Sequence, residues 1–233
     1  YVAVLGSPRS TWSLTRKHFD VLHAHSPASV GLLAYLTAST KRLPLIYTYH
    51  TSITDYTHYI KFIGGTRVIK YAAGWFSSAS TNLGDQIVVP SPKFQRLLLA
   101  QKVNRPINVI PNGIDLGIFK AVKNPGSLRN RLGIKSDSPI LLTVGRMDPE
   151  KRLEFIVDAF EILSKRVPNA YLVFAGDGSS RKGLEEKVSG TNAKDRIHFL
   201  GMVNRAELPD ILHDATVFLS ASTTEVHPIS VIE

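Results

Sequence analysis

Nine short apolar runs rich in β-branched residues recur along this chain, each followed by a stretch with helical spacing or by a turn. Residues 2–5, 20–24, 44–49, 86–89 and 107–110 form a first series, and residues 139–144, 170–175, 197–200 and 216–219 a second. Strands alternating with helical patterns are the signature of βαβ units and a parallel sheet. Between the series lie residues 111–138, which open with Pro-Asn-Gly-Ile-Asp and continue polar with little periodicity, so they read as a linker. Two doubly wound domains facing each other would leave a cleft, and clefts between domains are where ligands usually lie. No repeat of fixed period and no low-complexity tract interrupts the pattern.

The 233 residues, 43% of them hydrophobic, suffice for one large or two small cores. Without cysteine there is neither a disulfide framework nor a thiolate metal site, which suits the cytoplasm. No apolar run reaches bilayer-spanning length, and no signal-peptide pattern opens the sequence. Because it starts at Tyr1 and stops in what reads as a first helical turn, the sequence is expected to be a piece of a longer protein. The net charge of +9 is uneven: residues 1–119 hold 12 Lys+Arg against 4 Asp and no Glu, residues 120–233 hold 16 against 15. A positive first half could meet nucleic acid, anionic lipid or a phosphorylated substrate, or be only a solvated surface.

The last fourteen residues concentrate chemistry. Residues 215–219 read as a buried strand, Glu225 falls on the loop after it, and Pro228 with residues 230–233 reads as a helix start. On one continuous helix, eight positions would set Glu225 and Glu233 about 80° apart. A strand-turn-helix makes them converge better, at a strand's carboxyl end where ligands bind in open α/β sheets. For Glu233 a second reading is open, a capping box with Ser230.

A similar turn follows residues 139–144. Gly145, Arg146 and Lys151 surround Pro149, and Leu153, Ile156, Val157, Phe160 and Leu163 then recur on a core-facing helical stripe. Two cations near a helix N-terminus oppose its dipole, and a bound diphosphate would offset that. Arg146 as a fork and Lys151 as a point charge read as a phosphate clamp, the alternative being two solvated charges. Residues 176–183, Gly-Asp-Gly-Ser-Ser-Arg-Lys-Gly, also follow a strand, but lack G-x-G-x-x-G spacing.

In the first half, His23 and His25 alternate onto one face, for packing and hydrogen bonding in preference to a metal pair without a third ligand. Residues 47–59 carry hydroxyl, imidazole and phenol groups at a strand end. Nothing there reads as core, and His50 is the side chain best able to donate a hydrogen bond or positive charge near neutral pH. Residues 59–79 set Val68, Ile69, Ala72, Trp75 and Phe76 on one helical face and Arg67, Lys70 and serines on the other, either ordinary core or a membrane-docking helix.

With Val21-Leu-His-Ala-His25, Thr48-Tyr-His-Thr51, Val89-Pro-Ser91, Ile110-Pro-Asn-Gly-Ile-Asp115, Gly145-Arg146 with Lys151, Ala175-Gly-Asp-Gly178 and Glu225-x7-Glu233 all present, the chain resembles the retaining GT-B glycosyltransferases of family 4. The string over residues 47–59 looks most like the bacterial subgroup that glycosylates diacylglycerol at the membrane surface. The resemblance implies an α/β, GT-B fold of two incomplete Rossmann-like domains facing a cleft. Residues 1–119 would be the acceptor side, without its first strand and Gly-rich loop, and residues 120–233 the nucleotide-sugar side, without its last helices. It further implies a hexosyltransferase moving a hexose from a nucleotide diphosphate sugar to a lipid hydroxyl such as that of diacylglycerol, with retention. The donor would be a UDP-sugar, or alternatively a GDP-sugar, and no cofactor or metal is needed. The protein would be cytoplasmic and peripheral on an anionic membrane surface, with no nucleic-acid partner.

The same resemblance gives Arg146 and Lys151 the donor diphosphate, Glu225 the sugar, Glu233 the ribose hydroxyls, and His50 a place beside the reacting carbon. Gly145, His227, Ile229 and Ser230 complete the implied donor-binding set. One departure stands out: Val226-His227-Pro228 replaces the family's aromatic or polar residue followed by Gly, and Pro228 has no N–H to offer a sugar. A soluble sugar or polyol acceptor, a glycoside hydrolase using Glu225 and Glu233, and a basic nucleic-acid-binding module are the competing readings.

Overall fold

A computed structural model describes residues 16–25, 29–50, 74–75, 77–120, 122–223, 225 and 227–233. The expected strand at residues 2–5, the polar string beyond His50, and Arg67, Lys70, Val68, Ile69, Ala72 and Phe76 lie outside the described residues. The chain divides into two compact units, Tyr1–Asn112 and Gly113–Glu233.

In the first unit, β1 (Leu22–Ala24), β2 (Leu45–Thr48), β3 (Gln86–Val89) and β4 (Ile107–Val109) pair in parallel in that order. Helix α1 (Ser29–Lys41) connects β1 to β2, and α2 (Pro92–Ala100) connects β3 to β4. Proline at its first position suits α2, since no intrahelical acceptor is needed there, and Phe94 and Leu98 one turn apart are buried.

Residues 47–49 correct one expectation. Tyr47, Thr48 and Tyr49 are core, 2%, 7% and 3% exposed, because β2 is an interior strand buried on both faces. Tyr49 Oη sits 3.0 Å from Ser77 Oγ, and Ser77 is fully buried on the helical residues 77–81. Trp75, expected on the apolar face, is 69% exposed. Ser77 thus gives the buried Tyr49 phenol a hydrogen-bond partner.

The second unit opens with α3 (Leu116–Lys120) and α4 (Ser127–Leu132), so the expected linker is partly helical. Asp210 accepts hydrogen bonds from the backbone N–H of Lys123 (2.7 Å) and Asn124 (3.1 Å), and Asp214 from Gly126 (2.7 Å) and Leu128 (2.9 Å). Both aspartates are buried on α7 (Leu208–Asp214), which α3 and α4 contact, so these residues belong to the second unit. The division accordingly falls earlier in the chain than residues 119/120.

The rest of the unit runs β5 (Ile140–Val144), α5 (Leu153–Arg166), β6 (Tyr171–Ala175), α6 (Arg181–Ser189), β7 (Ile197–Gly201), α7, β8 (Val217–Phe218) and α8 (Ile229–Ile232). The sheet order is β7-β6-β5-β8, all parallel. Period-two alternation builds two cores: Leu141, Leu172 and Phe174 meet Leu153, Ile156, Val157 and Phe160 of α5, while Ile140, Leu142, Val173 and Ala175 meet Leu128 and Ile211. Val217 is 46% exposed, so β8 is a two-residue edge of the described sheet rather than the buried strand its composition suggests.

Candidate functional site

The site grows from the carboxyl ends of β5, β6 and β8. Past β5 the backbone stays pinned to the loop after β6: Gly145 N–H donates to Ala175 O (2.9 Å), Met147 N–H to Asp177 O (2.9 Å), and Ser180 N–H to Met147 O (2.8 Å). Such close approach requires glycine. At Gly176, whose φ is +138°, a Cβ would come 1.9 Å from Gly145 O, and at Gly178 it would come 2.6 Å from Met147 O. The Gly-Asp-Gly sequence thus acts in packing two loops together.

A turn of 3₁₀-helix, Pro149–Lys151, follows Asp148 and leads into α5. Its Glu150 carbonyl accepts from Thr223 N–H (3.2 Å), and Leu219 N–H donates to Leu142 O (2.8 Å). These bonds tie the loop beyond β8, which carries Glu225, to the turn that carries Lys151. One pocket results. Its wall includes Gly145, Arg146, Lys151, Glu225 and Ser230, with Thr143, Leu219, Ser220 and Ala221 beside them.

Within that pocket the cations are already paired. Lys151 Nζ lies 2.6 Å from Glu225 Oε1, both side chains largely withdrawn from solvent. Arg146 Nη1 lies 2.7 Å from Asp148 Oδ2 and Nη2 lies 3.5 Å from Glu150 Oε1. The picture of two uncompensated cations straining against a helix dipole is therefore corrected, because acidic neighbours balance each charge. Asp148 also reaches the loop after β6, accepting from Ser179 Oγ at 2.9 Å and Ser179 N–H at 3.3 Å through Oδ1. With 14% of its side chain exposed, Asp148 couples the Arg146 guanidinium to that loop.

Ser230 is the one α8 residue in that wall, while Glu233, Ile229 and His227 do not line it. Ser230 is inside α8, whose N-cap is Pro228, so Ser230 and Glu233 do not form a capping box. The Glu233 carboxylate is 8% exposed and pairs with Arg205 Nη2 at 3.3 Å. Ile229 is 41% exposed at the start of α8. His227 Nδ1 is buried and without a hydrogen-bond partner among the described residues.

His50 belongs to the first unit and continues a row of rings. His23 Nε2 is 2.6 Å from Thr48 Oγ1, the His23 and His25 ring centroids are 4.2 Å apart, and His25 Nδ1 lies 2.9 Å from His50 Nε2. The sequence shows His23 and His25 as a pair. It gives no sign that β2, next to β1, brings a third ring to them. Among the described residues no group of three or more His, Asp or Glu is arranged to hold a metal. Partial desolvation, then the neighbouring His25, lowers the His50 pKa, and partial desolvation, then His25 and His50, lowers that of His23, although both residues stay exposed to solvent. Both shifts favour the neutral imidazole, so of the two roles expected of His50, hydrogen bond or positive charge, they favour the hydrogen bond.

Sequence reasoning missed Asp148, Ser179, Thr223 and Arg205. Asp148 stands inside the Arg146–Lys151 string and could have been found by asking what neutralises the arginine. Arg205 carries no local signal, since its partner is distant in sequence.

The profile described as Glycosyltransferase Family 4 matches residues 3–117, and that described as Glycosyl transferases group 1 matches residues 126–233. The alpha-monoglucosyldiacylglycerol synthase of Acholeplasma laidlawii is 31% identical over 237 residues, 99% of this chain and 60% of that protein. The enzyme of the same name from Streptococcus pneumoniae is 32% identical over 220 residues, 92% of this chain and 49% of that protein. The chain thus spans about half to three-fifths of the length of these relatives. Among solved structures, Anabaena HepE in complex with UDP and glucose superposes with a TM-score of 0.78 at 16% identity, covering 96% of this chain and 58% of that one. With two parallel-sheet α/β units and both profiles matched, the chain belongs to the group 1, family 4 glycosyltransferases of GT-B fold.

Proposed function

We propose that this chain is the catalytic part of a retaining hexosyltransferase that carries a hexose from a UDP-sugar to the hydroxyl of a diacylglycerol-type lipid. The observation that carries this is the single pocket whose wall holds Gly145, Arg146, Lys151 and Glu225 at the carboxyl ends of β5 and β8. The two synthases that share about a third of its residues, and a neighbour solved with UDP and glucose, support the lipid acceptor and the UDP donor.

The demanding step is departure of the nucleoside diphosphate, whose bridging oxygen gains charge as the bond to the anomeric carbon breaks. Arg146 offers a planar fork and Lys151 a point charge to that oxygen and its phosphates. For this, Lys151 exchanges Glu225 for phosphate, and the released carboxylate accepts a hydrogen bond from a sugar hydroxyl. Glu233 takes the ribose hydroxyls, and His50 supplies a neutral hydrogen bond to the sugar. Gly145, His227, Ile229 and Ser230 complete the donor contacts. No metal is assigned a part, and the enzyme works at the inner, anionic face of the cell membrane. The glycoside hydrolase alternative needs two facing carboxyl groups, but here Glu225 is held by Lys151 and Glu233 by Arg205.

Turnover of UDP-glucose with diacylglycerol by the full-length protein tests the reading. Arg146→Ala and Lys151→Ala should each lower kcat/KM by about a hundred-fold or more. Unchanged rates would refute the diphosphate clamp, and a thermal shift with GDP but not UDP would reassign the donor.

A further inference from the structure

An imidazole nitrogen 2.9 Å from another imidazole nitrogen implies one proton between them, since two N–H groups or two lone pairs would repel at that distance. The two rings are nearly parallel, with 13° between their planes and centroids 5.1 Å apart. Behind them, His23 lies against His25 and is itself bonded to Thr48, a buried residue of β2. The row therefore begins on the sheet and ends at His50, with each ring held by the one before it.

We propose that His25 is a positioning residue for His50. It holds the His50 ring in place and occupies its Nε2 with a single bridging proton, so that Nδ1 is the nitrogen left for substrate. This rests on the reading of His50 as a contact to the donor sugar. A purely structural role accounts poorly for the contact, because both side chains are exposed and an exposed hydrogen bond between them adds little to stability. Packing does not need a nitrogen at that position; orientation of a hydrogen-bonding ring does.

The test uses the full-length protein with UDP-glucose and dioleoylglycerol in phosphatidylglycerol vesicles, and UDP-glucose hydrolysis as a second readout that needs no acceptor. His25→Ala should lower kcat about ten-fold or more, leave KM for UDP-glucose within about two-fold and move Tm by no more than about 2 °C. His25→Asn places an amide where Nδ1 stood and should recover most of the lost rate. In a His50→Ala background, His25→Ala should add no further loss, since its effect passes through His50. Wild-type kcat for His25→Ala with a slow His50→Ala would overturn the positioning role and leave His50 its place. An equal further loss in the double variant would overturn it as well. A His50→Ala protein at full rate would instead remove the reading of His50 on which the inference stands.

Discussion

Lys151 Nζ and Glu225 Oε1 are 2.6 Å apart across 74 residues of chain, in the wall of the proposed donor pocket. A diphosphate must compete with Glu225 for this ammonium. Glu225→Gln should therefore bind UDP at least as tightly as the wild type, while hexose transfer falls about ten-fold or more because the sugar loses its carboxylate contact. Lys151→Ala should instead weaken UDP by about ten-fold, the scale of one charge-assisted contact. Titration calorimetry with UDP separates the two. Weaker UDP binding by Glu225→Gln would show that the pair acts together on the nucleotide.

Asp148 makes a second prediction, because one carboxylate joins the Arg146 guanidinium to the Ser179 loop. Asp148→Ala should raise KM for the nucleotide sugar several-fold by loosening the arginine fork. Asp148→Asn keeps an oxygen for Ser179 but not the charge opposite Arg146. It should fall between alanine and wild type in KM, with stability close to wild type in urea unfolding. If both variants keep the wild-type KM, Arg146 is positioned by other contacts.

Much of this fold was readable because short β-branched runs leave few alternatives. Residues 86–89 form β3 as expected, and the stripe from Leu153 to Phe160 is buried as its spacing implied. The Arg146, Lys151 and Glu225 turns were readable as well, since charge at strand ends has no work to do in a core. What stayed hidden depended on tertiary partners. Tyr47 and Tyr49 did not read as core until β2 proved to be interior, and Ser77 is buried against the Tyr49 phenol. The polar stretch after residue 111 showed no periodicity, since α3 and α4 are short and the segment is fixed by Asp210 and Asp214 far along the chain. The His25–His50 contact depends on register between neighbouring parallel strands, which spacing along one strand does not reveal.

The glycines after β6 give a stability prediction independent of function. A methyl group at Gly176 or Gly178 would meet the backbone of Gly145 or Met147, which no rotamer change relieves. Gly176→Ala and Gly178→Ala should each cost about 2 kcal/mol or more, as overpacking does. Gly183, inside α6 with open space around it, is the control. Gly183→Ala should raise stability by about 0.5–1 kcal/mol, because alanine is the better helix residue. Urea unfolding of the three variants checks both signs.

Acid should loosen this protein through its histidines. The pKa values of His23 and His50, exposed but partly desolvated, are lowered, and that of His198 is lowered by burial alone, with its Nε2 buried and unpartnered among the described residues. A histidine with a lowered pKa binds fewer protons folded than unfolded. Its share of stability is complete above the unfolded value of about 6.5 and is lost as the pH falls through the folded pKa. Tm should thus drop between pH 8 and pH 5. His198→Gln, which has no charge to acquire, should reduce that drop, and His50→Gln, at an exposed and solvent-screened position, should reduce it less. Scanning calorimetry at the two pH values measures the differences, and an undiminished drop in His198→Gln would remove that histidine from the account.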